Sequence, residues 1–155
     1  MQPNPMFVSS LTRSLLHLTA RRTVRSWTET PYDELTDAPT LTRSGVTNTV
    51  TGDLEGESWE QYLMMYRSQT SCSFVSLERF IGSLDGHRGS FVMQGTGTYE
   101  DGVARGTLTI VPGSGTDELT GLQGSGTFVA AEGRFSTIRL TCELLHTLVD
   151  NSPGL

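Results

Sequence analysis

No lysine occurs anywhere in the 155 residues; all 11 basic side chains are arginine. A Walker-type phosphate loop and a Schiff-base mechanism both need a lysine amine, so both are excluded. Cysteine is nearly as scarce. Cys72 and Cys142 stand far apart, with no CxxC pair and no Cys/His ligand spacing, which argues against a structural zinc site. The two thiols read as buried, reduced, small hydrophobes, and a cytoplasmic setting fits them. No apolar run is long enough for a spanning helix, so no membrane partner is expected. A net charge of −6 leaves no basic stripe for nucleic acid. Neither a GxSxG elbow nor a GxGxxG fingerprint is present.

What the chain does have is glycine, 17 residues of it, together with many threonines and serines. That composition points to strands and tight turns rather than helices. The length suits one domain with a real core.

Charge is unevenly placed. Residues 1–28 carry Arg13, Arg21, Arg22 and Arg25 and no acid; the rest of the chain holds all 17 acids. Residues 1–17 read as an N-terminal extension. MQPNPMF lacks the basic start of a signal peptide. Three readings stand for this segment: a short amphipathic helix, a disordered tail, or a misassigned start. Leu11, Leu15 and Leu18 recur at i, i+4 and i+7, which favours a helix. Such a helix could lie over a barrel mouth as a lid.

From residue 18 to about 147 the pattern is strands and turns, and 148–155 reads as a frayed tail. Strands are expected over Leu18–Glu29, Thr40–Asp53, Glu57–Arg67, Cys72–Leu84, His87–Glu100, Val103–Val111, Leu122–Ala131 and Ser136–His146. For Glu57–Arg67 a helix is the alternative to the strand. Pro31–Asp37 reads as a loop. Asp85-Gly86 and Asp101-Gly102 are hairpin dipeptides, and Glu132-Gly133 separates the last two strands. An echo links Gln94-Gly95-Thr96-Gly97-Thr98-Tyr99 with Gln123-Gly124-Ser125-Gly126-Thr127-Phe128. Alternating glycine clears one strand face and allows tight coiling or the close approach of another element. Eight antiparallel strands can close into a barrel that holds packed side chains or one small ligand. The expected class is therefore all-β, an eight-stranded antiparallel closed barrel.

Several segments resemble a bacterial domain-of-unknown-function family. They are Gly52–Ser58 (GDLEGES), Phe74–Phe80 (FVSLERF), Gly89–Gln94 (GSFVMQ), Gly102–Thr107 (GVARGT), Val111–Thr116 (VPGSGT) and Leu119–Leu122 (LTGL). The likeness runs from about Val24 to Leu144. It implies the allene-oxide-cyclase-like barrel, often as a homodimer, and no particular reaction. The longer N-terminus departs from that family's pattern. The fold superfamily also includes cofactor-free cyclases and isomerases, a link at the level of fold alone.

Glu78 and Arg79 are neighbours in a strand, so one of them must point into a barrel. Alternation does not choose: Phe74 shares parity with Glu78, and Leu77 with Arg79. An inward Glu78 could act as an acid, or be a structural charge paired with Arg105. Tyr66 and Gln94 are candidate hydrogen-bonding groups for a ligand carbonyl, and Tyr62 shares a face with Tyr66. Trp59, Met65 and Met93 could line an apolar pocket, with Phe74, Arg79 and Arg105 completing a substrate-binding set. Asp53, Glu55 and Glu57 read as a solvated acidic loop, and no histidine pair has metal spacing, so no metal and no cofactor are expected. The expected function is a small-molecule-processing barrel, leaning to a cofactor-free cyclase or isomerase of an apolar, flexible, polyketide-like substrate. The alternative is a non-catalytic barrel that binds a small apolar ligand.

Overall fold

A computed structural model describes residues 10–131 and 135–148. Eight strands follow in order: β1 (Ser10–Asp33), β2 (Thr40–Gly52), β3 (Leu54–Ser68), β4 (Ser71–Leu84), β5 (His87–Glu100), β6 (Val103–Ile110), β7 (Gln123–Ala131) and β8 (Phe135–Leu148). Each pairs antiparallel with the next. β1 also pairs with β8, from Ser10 against Leu148 to Thr23 against Phe135, so the sheet closes into a ring. One 3-10 turn, Asp117–Leu119, interrupts the connection from β6 to β7.

Alternation along each strand explains the ring. On β2 the buried series is Thr42, Ser44, Val46, Asn48 and Val50, and on β8 it is Ser136, Ile138, Leu140, Cys142 and Leu144. Such period-2 burial turns one face of every strand to a shared interior. Asp85-Gly86 and Asp101-Gly102 both take positive φ at the two central positions, the geometry of the tight hairpins expected there. The Glu132-Gly133 turn lies outside the described residues.

One expectation is overturned. Leu11–Leu18 is not helix but the first part of β1, so no helical lid forms there. Leu16, Leu18, Ala20 and Arg22 alternate toward the interior, while Leu15 is exposed. The leucine spacing permits either period, and the partner strand β8 selects the strand. β1 also continues through Pro31 to Asp33, which shortens the expected loop at that point.

The interior is filled at one end. Leu54, Phe80, Leu84, Phe91 and Leu122 are almost wholly buried there. The β6–β7 connection folds across this end: Thr116 N–H donates to the Ser90 carbonyl, and Leu119 is fully buried. Gly89 permits this approach, because a Cβ there would meet the Thr116 carbonyl oxygen at 2.2 Å. The alternating glycines work in the same way. At Gly97 a Cβ would stand 2.4 Å from the Arg105 carbonyl oxygen and 2.7 Å from Phe74 Cζ. Gly97→Val is therefore expected to lower stability by about 1–3 kcal/mol, the usual cost of overpacking. A urea midpoint equal to that of the parent would contradict this reading.

Candidate functional site

The other end of the ring is open. A cavity of about 720 Å³ lies there, with Gln69 of the β3–β4 turn and Gly102 of the β5–β6 turn at its mouth. Ligand pockets commonly measure about 300–1,000 Å³. Its apolar wall is a chain of rings. Trp27 stacks on Tyr62 with centroids 5.8 Å apart, Tyr62 meets Phe74 edge-on at 5.4 Å, and Phe74 lies 6.0 Å from Phe128.

A β-bulge in β1 assembles this wall. Val24 pairs with Asn48 but Ser26 pairs with Thr47, so Arg25 is an extra residue. The insertion reverses the parity of β1. Arg22 and Val24 line the cavity before it, and Trp27 lines it after. At the rim, Glu29 accepts hydrogen bonds from Trp27 Nε1 (3.2 Å), Thr42 Oγ1 (3.0 Å) and Tyr66 Oη (2.7 Å). Burial and that carboxylate raise the Tyr66 hydroxyl above its ordinary range, so it stays protonated as a donor.

The floor is charged. Arg22, Glu60 and Glu78 are all at most 3% exposed. Glu60 and Glu78 stand directly opposite each other on β3 and β4. Arg22 Nη1 donates to Glu60 Oε2 at 3.1 Å and to Glu78 Oε1 at 2.5 Å, and its Nε donates to Ser136 Oγ at 3.0 Å. Asn48 Nδ2 donates to Glu60 Oε1 at 2.5 Å, and the Tyr62 hydroxyl donates to Glu60 Oε2. Both oxygens of Glu60 are thus occupied, whereas Glu78 Oε2 has no hydrogen-bond partner among the described residues.

One guanidinium between two buried carboxylates sets the protonation of the cluster. Burial raises the Glu78 carboxyl, Arg22 pulls it back, and Glu60 raises it further; the outcome is a pKa pushed up to about 7. Ser58 also lowers it, although its hydroxyl makes no well-aligned bond to Oε2. Burial alone would lower Arg22, but Glu78 and Glu60 outweigh it and hold the guanidinium charged. Burial, then Glu60, raises the Tyr62 hydroxyl well above its ordinary value.

The structure separates the residues singled out from the sequence. Tyr62, Tyr66 and Phe74 line the cavity; Glu78 is not in the lining but lies behind the floor, paired with the lining residue Arg22. Met93 also points inward, buried at 1% exposure, but away from the cavity lining. Trp59, Arg79, Gln94 and Arg105 are exposed on the outer face, and Met65 shares the outward parity of Trp59. The partner of Glu78 is Arg22, not Arg105, because Arg105 points away from the interior. Seven contributors are not singled out by the sequence: Arg22, Trp27, Glu29, Asn48, Glu60, Phe128 and Ser136. A signal existed for Glu60, which shares its strand face with Tyr62.

Both cysteines are buried and free; Cys72 lines the cavity, and burial pushes the Cys142 thiol up to about 11. Among the described residues, no helix is long and apolar enough to cross a membrane.

A family model described as "Protein of unknown function (DUF3224)" matches residues 18–141. The chain is also similar to a crystal structure of a protein with unknown function from the DUF3224 family of Shewanella oneidensis MR-1. The two are 27% identical, the match covers 84% of this chain and 97% of that one, and the TM-score is 0.63. No curated protein matches.

Proposed function

The chain belongs to DUF3224, a family of proteins of unknown function, and within it we propose that this member takes one largely apolar small molecule into its cavity and processes it as a cofactor-free cyclase or isomerase. The observation that carries the reading is an aromatic cavity ending on a buried charged cluster. The walls would hold a flexible substrate in one reactive fold and exclude water. Orientation of that kind contributes up to roughly 7–11 kcal/mol in favourable cases. The floor would polarise a substrate oxygen. The closed ring of eight strands is the frame expected of an allene-oxide-cyclase-like barrel, which is part of the same proposal.

A cytoplasmic homodimer completes the reading. Two free cysteines fit the compartment. An outward apolar stripe of Leu63, Val75, Leu77 and Ile81 on β3 and β4 fits a second copy.

One observation favours passive binding instead. Glu60 lines the cavity but has both oxygens occupied, which makes it a poor base. Native mass spectrometry of freshly purified protein, followed by incubation with linear polyketide-type precursors, separates the two. Conversion faster than in the protein-free control supports processing. A retained, unchanged molecule with no rate effect supports a carrier. An empty protein that retains and converts nothing overturns both.

A further inference from the structure

The ligand class can be narrowed for the cyclised end of the reaction, the ring product rather than the flexible precursor, on the premise that the cavity binds a small molecule as proposed above. Arg22 is 3% exposed and lines the cavity. Its Nε and Nη1 are engaged by Ser136, Glu60 and Glu78, whereas Nη2 makes no hydrogen bond among the described residues. Nη2 is not among the buried unpaired atoms, so this nitrogen opens on the cavity and can donate to what enters it. Nη2 is thus the donor that the floor offers to a guest.

The floor does not suit an anion. Arg22 is already shared between two carboxylates, 3.1 and 2.5 Å from the same nitrogen. A ligand carboxylate would be a third acid beside one cation in a site of low dielectric. A neutral acceptor oxygen takes the Nη2 proton without that repulsion.

The wall adds a shape requirement. Trp27, Tyr62, Phe74 and Phe128 form a continuous series of rings, each 5.4–6.0 Å from the next. Aromatic surfaces favour offset-stacked or edge-on aromatic partners beyond what area burial alone gives. Toward the mouth, the directly paired Ala104 and Ala130 keep the wall shallow and leave room for a rigid plate.

We propose that the cavity selects a neutral, flat, conjugated molecule carrying an acceptor oxygen, of the aryl ketone, quinone or flavone class. Its oxygen accepts from Arg22 Nη2, and its plane lies against the Trp27–Phe128 series.

The test is a fluorescence titration in a Trp59→Phe background, where Trp27 is the remaining tryptophan. At about pH 8, where naphthoate is fully ionised, the probes are 2-acetylnaphthalene, 2-naphthoate, 2-decanone and decanoate. The expected result is that 2-acetylnaphthalene binds about tenfold or more tightly than each of the others. Removing the Nη2 donor should abolish the preference over 2-naphthoate. Because Arg22→Met alone leaves two carboxylates unpaired, the triple variant R22M/E60Q/E78Q carries that arm. If 2-naphthoate, decanoate or 2-decanone binds as well as the ketone, the selection is wrong and the small-molecule reading survives. If folded protein binds none of the four, both fall. If the triple variant keeps the parent's preference, Arg22 is not the recognising group.

Discussion

Arg22→Met is expected to remove about 3–5 kcal/mol of folding stability at neutral pH, the usual result of breaking a buried ion pair from one side. The arginine stands between Glu60 and Glu78, each at most 3% exposed. Methionine restores much of the volume but no charge, so two carboxylates face each other across the β3–β4 ladder with no cation. The loss should shrink at about pH 5, because carboxyls that take up protons no longer repel. Adding Glu60→Gln and Glu78→Gln should recover much of the stability, since buried ion clusters can be replaced by neutral groups at little cost. Urea midpoints across the three backgrounds provide the measurement. A loss below about 1 kcal/mol would show that the cluster behaves like a surface ion pair.

Glu78→Gln should change how stability depends on pH. In the folded chain this carboxyl has a pKa near 7, against an ordinary value of 4.5. Between those values the folded state holds a proton that the unfolded state has released. Stability therefore falls as pH rises through the window. The penalty is absent below about 4.5 and complete above about 7, amounting to roughly 3 kcal/mol. The glutamine variant has no such proton to lose. Relative to the parent it should gain stability steadily across the window and be the more stable protein at about pH 8. Parallel stability curves for the two proteins would place the titration elsewhere.

The strands were legible because each carries its own period and its own turn. Thr42 to Val50 alternates on the page as it does in the ring, and the two Asp-Gly pairs mark hairpins by their tolerance of positive φ. β1 was harder. Its leucines satisfy a helical and an extended period at once, and a strand more than 100 residues away makes the choice. The site was legible only in part, for the same reason. Glu78 stood out as a charge in an apolar strand. Its partner is one of two adjacent arginines, Arg21 and Arg22, and pairing with β2 and β8 decides which of them enters. Nothing in Val24-Arg25-Ser26-Trp27 announces a bulge, so the inward turn of Trp27 was unreadable. Trp59, Met65 and Gln94 stand out by residue type alone. Type does not report which face a side chain occupies.

The pairing of β1 with β8 has a consequence for how the protein comes into being. Seven of the eight contacts between neighbouring strands are hairpins or short connections that can zip locally. The eighth joins partners such as Arg13 and Glu143, 130 residues apart. During translation, the first strand leaves the ribosome long before its final neighbour exists, with one edge bare. Assembly must end with that seam, the step that carries the greatest loop-closure entropy. Until it is made, the nascent chain exposes the kind of edge that recruits strangers, and chaperone contact should concentrate on residues 10–23.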